Sequence, residues 1–153
     1  MHDTKRSLAF WLIIGFLSVA LALLLMGQTM ALVDYDLAVQ LGLQESVNEV
    51  GGYGIQVNRA FGAGDTIVYI PLITLSIIGL ILRKRWSLLT SAAAMGISAY
   101  WATTIASMLF FLPGAPGYSL EPGPEYWIFM AAFIIFGVWG LFYLVFRGED
   151  LLA

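Results

Sequence analysis

Apolar and polar positions divide the chain into four long apolar runs separated by polar stretches. Leu8 to Val33 is interrupted only by small or uncharged polar residues, among them Gly15, Ser18, Gln28 and Thr29. Asp65 to Leu82, Trp86 to Leu112 and Glu125 to Phe146 follow, and the interior of every run is free of Asp, Glu, Lys, Arg and His. A hydrocarbon core about 30 Å thick takes roughly 20 apolar residues as a helix. The pattern therefore predicts an all-α integral membrane protein, a four-transmembrane-helix antiparallel bundle with a partly helical outer loop after helix 1. A cleavable secretory signal is the competing reading of the first run, because Lys5 and Arg6 precede it and Thr29-Met30-Ala31 loosely resembles a cleavage site. The apolar stretch of such a signal runs about 7–15 residues. Leu8 to Met26 is longer, so a retained helix is expected.

The connections refine this plan. Arg83-Lys84-Arg85 is so short a turn that the second and third helices are expected to be antiparallel neighbours. Residues 34–64 are too many for a structureless loop, and Val39, Leu43, Val47 and Val50 recur at helical spacing. They predict a short helix lying on the outer interface, followed by glycines at 51, 52, 54, 62 and 64 that suggest turns, close backbone approach or mobility. Residues 113–124 hold four of the five prolines and predict a stiff cover of turns.

Small residues indicate how such helices pack, since lipid solvates leucine as well as a neighbouring helix does. In the third run Ser87, Ser91, Ala94, Ser98, Ala102 and Ala106 form one seam. Gly96, Tyr100, Thr103 and Ser107 form a second stripe about half a turn away, which predicts a central third helix. The complementary positions are Gly15, Ser18 and Ala22 on the first helix, Ser76 and Gly79 on the second, and Gly137 and Gly140 on the fourth. The Ser and Thr hydroxyls of the third helix are expected to bond back to their own backbone.

Composition strengthens the membrane reading. Hydrophobic residues make up 60% of the 153 and charged ones 11%, with a mean hydropathy of +0.87. Soluble domains run about 45–50% apolar and about 25% charged. The net charge of −3 is unevenly spread. Six of the seven Lys and Arg (Lys5, Arg6, Arg83, Lys84, Arg85, Arg147) fall on one predicted side, and only Arg59 lies opposite, among seven acids. Positive charge stays cytoplasmic, so the expectation is a multi-pass protein of the cytoplasmic (inner) membrane with both termini inside.

Several chemistries drop out. No cysteine is present and the one histidine is His2, which leaves no thiol chemistry, His-ligated haem or His-dependent triad. No GxxxxGK[ST] phosphate loop appears. No catalytic group, metal site or cofactor is expected, nor any nucleic-acid partner. Asp65 and Glu125 open predicted helices and are expected to cap them. Arg59 is expected either to pair with Asp65, Glu125 or another outer acid and staple the loop to the bundle, or to clamp an anionic head group. Pro71 should disturb the second helix beside Tyr69. Tyr100 and Trp101 sit about 18 Å below the outer end of the third helix, counting about 1.5 Å per residue, and both need polar partners. Arg59, Asp65, Tyr69, Tyr100, Trp101 and Glu125 are thus the candidate lining of an outer cavity.

Three functions compete on this reading. The first is a non-enzymatic membrane protein that binds a partner membrane protein or an amphipathic, lipid-like ligand at its outer half. Membrane lipid and a homo-oligomer or larger membrane complex are its expected partners. The second is a small oligomeric transporter or channel for cations or small amphipaths, drawn by the acidic outer face and its tyrosines. Against it stands the absence of ionisable residues within the predicted spans, which proton-coupled transport normally requires. The third is an interfacial lipid-modifying enzyme using Asp65, Glu125 and Arg59.

Overall fold

The computed structural model describes residues 6–152, so the expectations placed on His2 and Lys5 lie outside the described residues. The described chain is all-helical. Helix α1 spans Leu8–Val33, α2 Tyr35–Gln40, α3 Val47–Ile81, α4 Trp86–Phe111, and α5 Pro124–Arg147 with a 3-10 turn at Gly148–Leu151. All but α2 are long and apolar enough to cross a membrane.

The largest departure from the sequence reading lies in α3. The Val39–Val50 pattern is not one helix but two, because Gly42 takes a φ of 69° and stops α2. Ser46 then restarts the chain: its backbone N–H and hydroxyl each donate to the Glu49 carboxylate at 2.7 Å. After a bend at Gly51 the helix continues through the remaining glycines and past Asp65 without stopping. Asp65 is therefore not an N-cap but an interior residue of a 35-residue helix. Gly62 shows why glycine recurs in this stretch. A β-carbon there would lie 2.6 Å from the Gln28 carbonyl of α1, so its absence permits the two backbones to touch.

Close packing is concentrated along α4. Ser87, Ser91, Ala94, Ser98 and Ala102 are buried in one seam. A β-carbon on Gly137 would lie 2.7 Å from the Ala99 nitrogen and 2.9 Å from the Met95 carbonyl, and one on Gly140 would meet the Met95 side chain. On α3, Ser76 is buried and donates to Leu72 O at 2.7 Å, and Gly79 packs on Trp86 and Ser87. Two expectations are corrected. Gly15, Ser18 and Ala22 face outward together with Trp11 and Val19, because the face that packs inward is the one carrying Phe10, Ile13, Leu17, Ala20 and Leu24, all buried. Burying that face removes more apolar surface, and Phe16 adds ring contacts to Phe133 and Phe136 of α5. Nor is α4 enclosed on both sides. Its second stripe points outward at Tyr100, Thr103 and Ser107, and the two hydroxyls bond to Ala99 O and Thr103 O in their own helix.

The Arg-rich ends of the helices come together. Arg6 donates to Ile81 O at 2.7 Å and to Leu80 O at 3.3 Å, taking up carbonyls at the end of α3. Arg85 pairs with Glu149 at 2.9 Å, and Arg147 with Asp150 at 2.8 Å. These pairs are exposed, and such pairs stabilise by at most about 1 kcal/mol in water.

Candidate functional site

At the opposite, acidic end the chain builds a roof over the bundle. The Glu49 carbonyl accepts from the backbone N–H groups of Ser119 at 2.7 Å and Leu120 at 3.1 Å, and the Ser119 hydroxyl donates to Asn48 O at 2.7 Å. Gly51 makes this seating possible: its φ is 68°, and a β-carbon would lie 2.8 Å from the Gly117 carbonyl. The proline-rich cover is thereby fastened to the first turn of α3.

Glu45 ties the roof to the helices below. One carboxylate oxygen accepts from Asn58 Nδ2 at 2.9 Å, the other from the Tyr126 hydroxyl at 3.4 Å, and its backbone carbonyl accepts from the Tyr35 hydroxyl at 3.0 Å. Asn58 also donates to the Tyr35 oxygen at 3.1 Å. Burial pushes the Tyr35 hydroxyl above its usual pKa, opposed by the Asn58 hydrogen bond and assisted by the charge of Glu45. Tyr118 is shifted the same way, first by burial and then by Glu45.

Beneath the roof lies a cavity of about 620 Å³, within the range of small-molecule sites. Its walls are mostly apolar, with Leu24, Ile105, Met108, Phe129 and Phe133 among them, and Gln44, Glu45, Asn58, Tyr118, Tyr126 and Glu125 supply polar groups on the same surface. Two residues of the lining each carry a polar atom that is buried without a hydrogen-bond partner: the Trp101 indole Nε1 and the Gln28 side-chain carbonyl oxygen. Leaving such an atom unpaired costs about 1–3 kcal/mol. Tyr69 is buried at the wall and is satisfied by Ser98, whose hydroxyl also donates to Ala94 O.

The six residues singled out from the sequence have different fates. Tyr69, Trp101 and Glu125 line the cavity. Tyr100 does not, because it points away from the bundle with 72% of its surface exposed. Arg59 is exposed and makes no ion pair with an acid among the described residues, so the expected staple to Asp65 or Glu125 is absent; Glu45 and Glu49 fasten the loop instead. Asp65 is buried with 6% exposed, but lies outside the cavity lining. Sequence reasoning missed Gln28, Glu45 and Asn58. The signal available for Glu45 was an acid on the polar side of the expected outer helix, and nothing marked it off from Glu49.

Chemically, the surface offers carboxylates, amides and phenols around an apolar chamber, with no Lys or Arg in its lining. Among the described residues no three His, Cys, Asp or Glu side chains converge as a metal site. No family model, curated protein or solved structure matches this chain.

Proposed function

We propose that this protein is a non-enzymatic, antiparallel four-span protein of the cytoplasmic membrane that binds an amphipathic ligand in the roofed cavity. Both termini lie inside and the cavity lies in the outward half, in keeping with the segregation of positive charge to the opposite end. The observation that carries this reading is the apolar chamber, two of whose lining residues carry a polar atom without a partner. An alkyl tail fills the chamber, and a turn of the Trp101 and Gln28 side chains brings Nε1 and Oε1 to a head with one acceptor and one donor. The acids at the rim and the lack of Lys or Arg favour a neutral or cationic head over an anionic one.

The test uses detergent-purified protein and three probes with the same alkyl chain, ending in alcohol, trimethylammonium or sulfate. Native mass spectrometry is expected to retain the first two, with the sulfate bound about tenfold more weakly or worse, a difference of about 1.4 kcal/mol. Ile105→Trp, which fills the chamber from its wall, should reduce retention of all three by at least about tenfold while leaving the unfolding temperature within a few degrees. Equal retention of all probes by the wild type and Ile105→Trp would overturn the assignment.

A further inference from the structure

Asp65 raises a question that the cavity does not answer. It is more than nine-tenths buried midway along the 35-residue helix α3, where its apolar run begins, and its Oδ2 has no hydrogen-bond partner. No Lys or Arg pairs with it among the described residues. The neighbouring segment of α1, Leu25–Val33, carries no charged or titratable side chain. On α3 itself Tyr69 follows by one turn and is bonded to Ser98, and Arg59, six residues back, is exposed. A lone carboxylate in such a place is costly unless a cation or a proton neutralises it.

The backbone around it is unusual in the same place. Residues Asp65–Tyr69 form a π-helical turn, and so do Leu25–Thr29 on α1, with the two turns packed together. Such turns interrupt the regular bonding ladder and recur at functional sites. Ile70 N–H reaches back five residues to Asp65 O, and Pro71 brings no N–H of its own to the carbonyl four residues before it. Several other hydroxyls in the spans bond to their own helix, as Thr74 does to Ile70 O and Thr104 to Tyr100 O. Thr66, the residue beside Asp65, instead meets Thr29 across the helices at 3.0 Å. One carboxylate, two facing hydroxyls and backbone carbonyls in broken helical segments are an all-oxygen donor set, the kind that irregular membrane helices turn toward Na+.

From this we infer that the paired π-helical turns of α1 and α3, centred on Asp65 with Thr29 and Thr66, form a site for a single monovalent cation of the Na+ class. One carboxylate matches one positive charge. A divalent ion normally draws more acidic ligands than Asp65 alone supplies. The inference does not depend on what fills the cavity, whose lining excludes Asp65.

The test is thermal unfolding of the full chain in nanodiscs of zwitterionic lipid, with NaCl exchanged for N-methyl-D-glucamine chloride at constant ionic strength and no amphipath added. Na+ is expected to raise the midpoint by several degrees in a saturable manner. Its half-saturating concentration should rise as pH falls, since protons compete for the same carboxylate. Asp65→Asn should abolish the Na+ response, and Thr66→Val should raise the half-saturating concentration about tenfold, or about 1.4 kcal/mol. Should Asp65→Asn fail to fold, the wild-type titration and Thr66→Val carry the test. Identical midpoints in the two salts, or a midpoint that follows pH but not Na+, would overturn the site.

Discussion

The α4–α5 contact and the α1–α3 contact bring helices together in opposite ways. Between α4 and α5, glycines at 137 and 140 press against the Ala99 backbone and the Met95 side chain, with no polar side chain in those contacts. Between α1 and α3, Gly62 presses against the Gln28 carbonyl, both helices loosen into π turns, and polar groups are enclosed: Thr29, Thr66, Asp65 and Gln28. The first contact is apolar and closed, and its worth is packing. The second keeps unpaired polar atoms that an apolar replacement would avoid, which is the expected mark of a site retained for binding.

Substitution at glycine should break this contrast most sharply. Gly137→Val places atoms against backbone that cannot move aside, so a loss of about 3 kcal/mol is expected, the upper end for overpacking. Gly140→Ala meets only the flexible Met95 side chain and should cost about 1 kcal/mol. Gly15→Ala, with no atom within 4 Å of the added carbon, should stay within about 0.5 kcal/mol. Equilibrium unfolding in mixed micelles checks the series. A large loss at Gly15 would mean that another chain covers the outward face of α1.

Loosening the roof should have the next largest effect. Glu45→Gln keeps the shape but removes the charge that receives Asn58 and Tyr126, and a loss of about 1–2 kcal/mol is expected. Hydrogen exchange should quicken at residues 41–50 and 113–124 and stay unchanged along α4 and α5. Exchange that quickens in α4 as well would show that roof and seam unfold as one unit.

The difference between the two contacts also explains what the sequence could and could not disclose. Apolar runs long enough to span a membrane and the small-residue seam of α4 are local patterns, and Ser91, Ala94 and Ser98 could be found by spacing alone. The site depends on where a helix begins. Glycines at 51 to 64 and an aspartate at 65 read as loop and cap by intrinsic preference. Contact with Gln28 and the anchoring of Glu49 to the cover override that preference and carry the helix through. No ionisable group lies inside the apolar runs, yet Asp65 lies inside helix α3, because α3 begins eighteen residues earlier than its apolar run.

Trp101→Phe tests the unpaired indole donor directly. The indole N–H has no partner, so deleting it should leave the ligand-free protein unchanged or up to about 1 kcal/mol more stable. The same change should weaken retention of the alkyl alcohol about five- to tenfold, since the head loses its donor. Opposite signs for stability and binding are the expected result. Retention of the alkyl alcohol at the wild-type level would mean that the indole N–H does not meet the head.

The smallest effect should come from alkaline pH, and it bears on the roof alone. Burial raises the Tyr35 pKa above the ordinary value of 10.0, so the folded state holds that proton more tightly than the unfolded chain does. Its contribution is complete below about pH 10 and is lost as pH rises from there through the folded value, because the unfolded chain then releases the proton first. Tyr118 acts in the same direction. Tyr35→Phe should start less stable at pH 7, having lost the bond to the Glu45 carbonyl, by about 1 kcal/mol. Between pH 9 and pH 11 it should then lose less stability than the wild type, so that the two curves converge. Parallel curves across that interval would show that the Tyr35 proton is held no more tightly in the folded roof than in the unfolded chain.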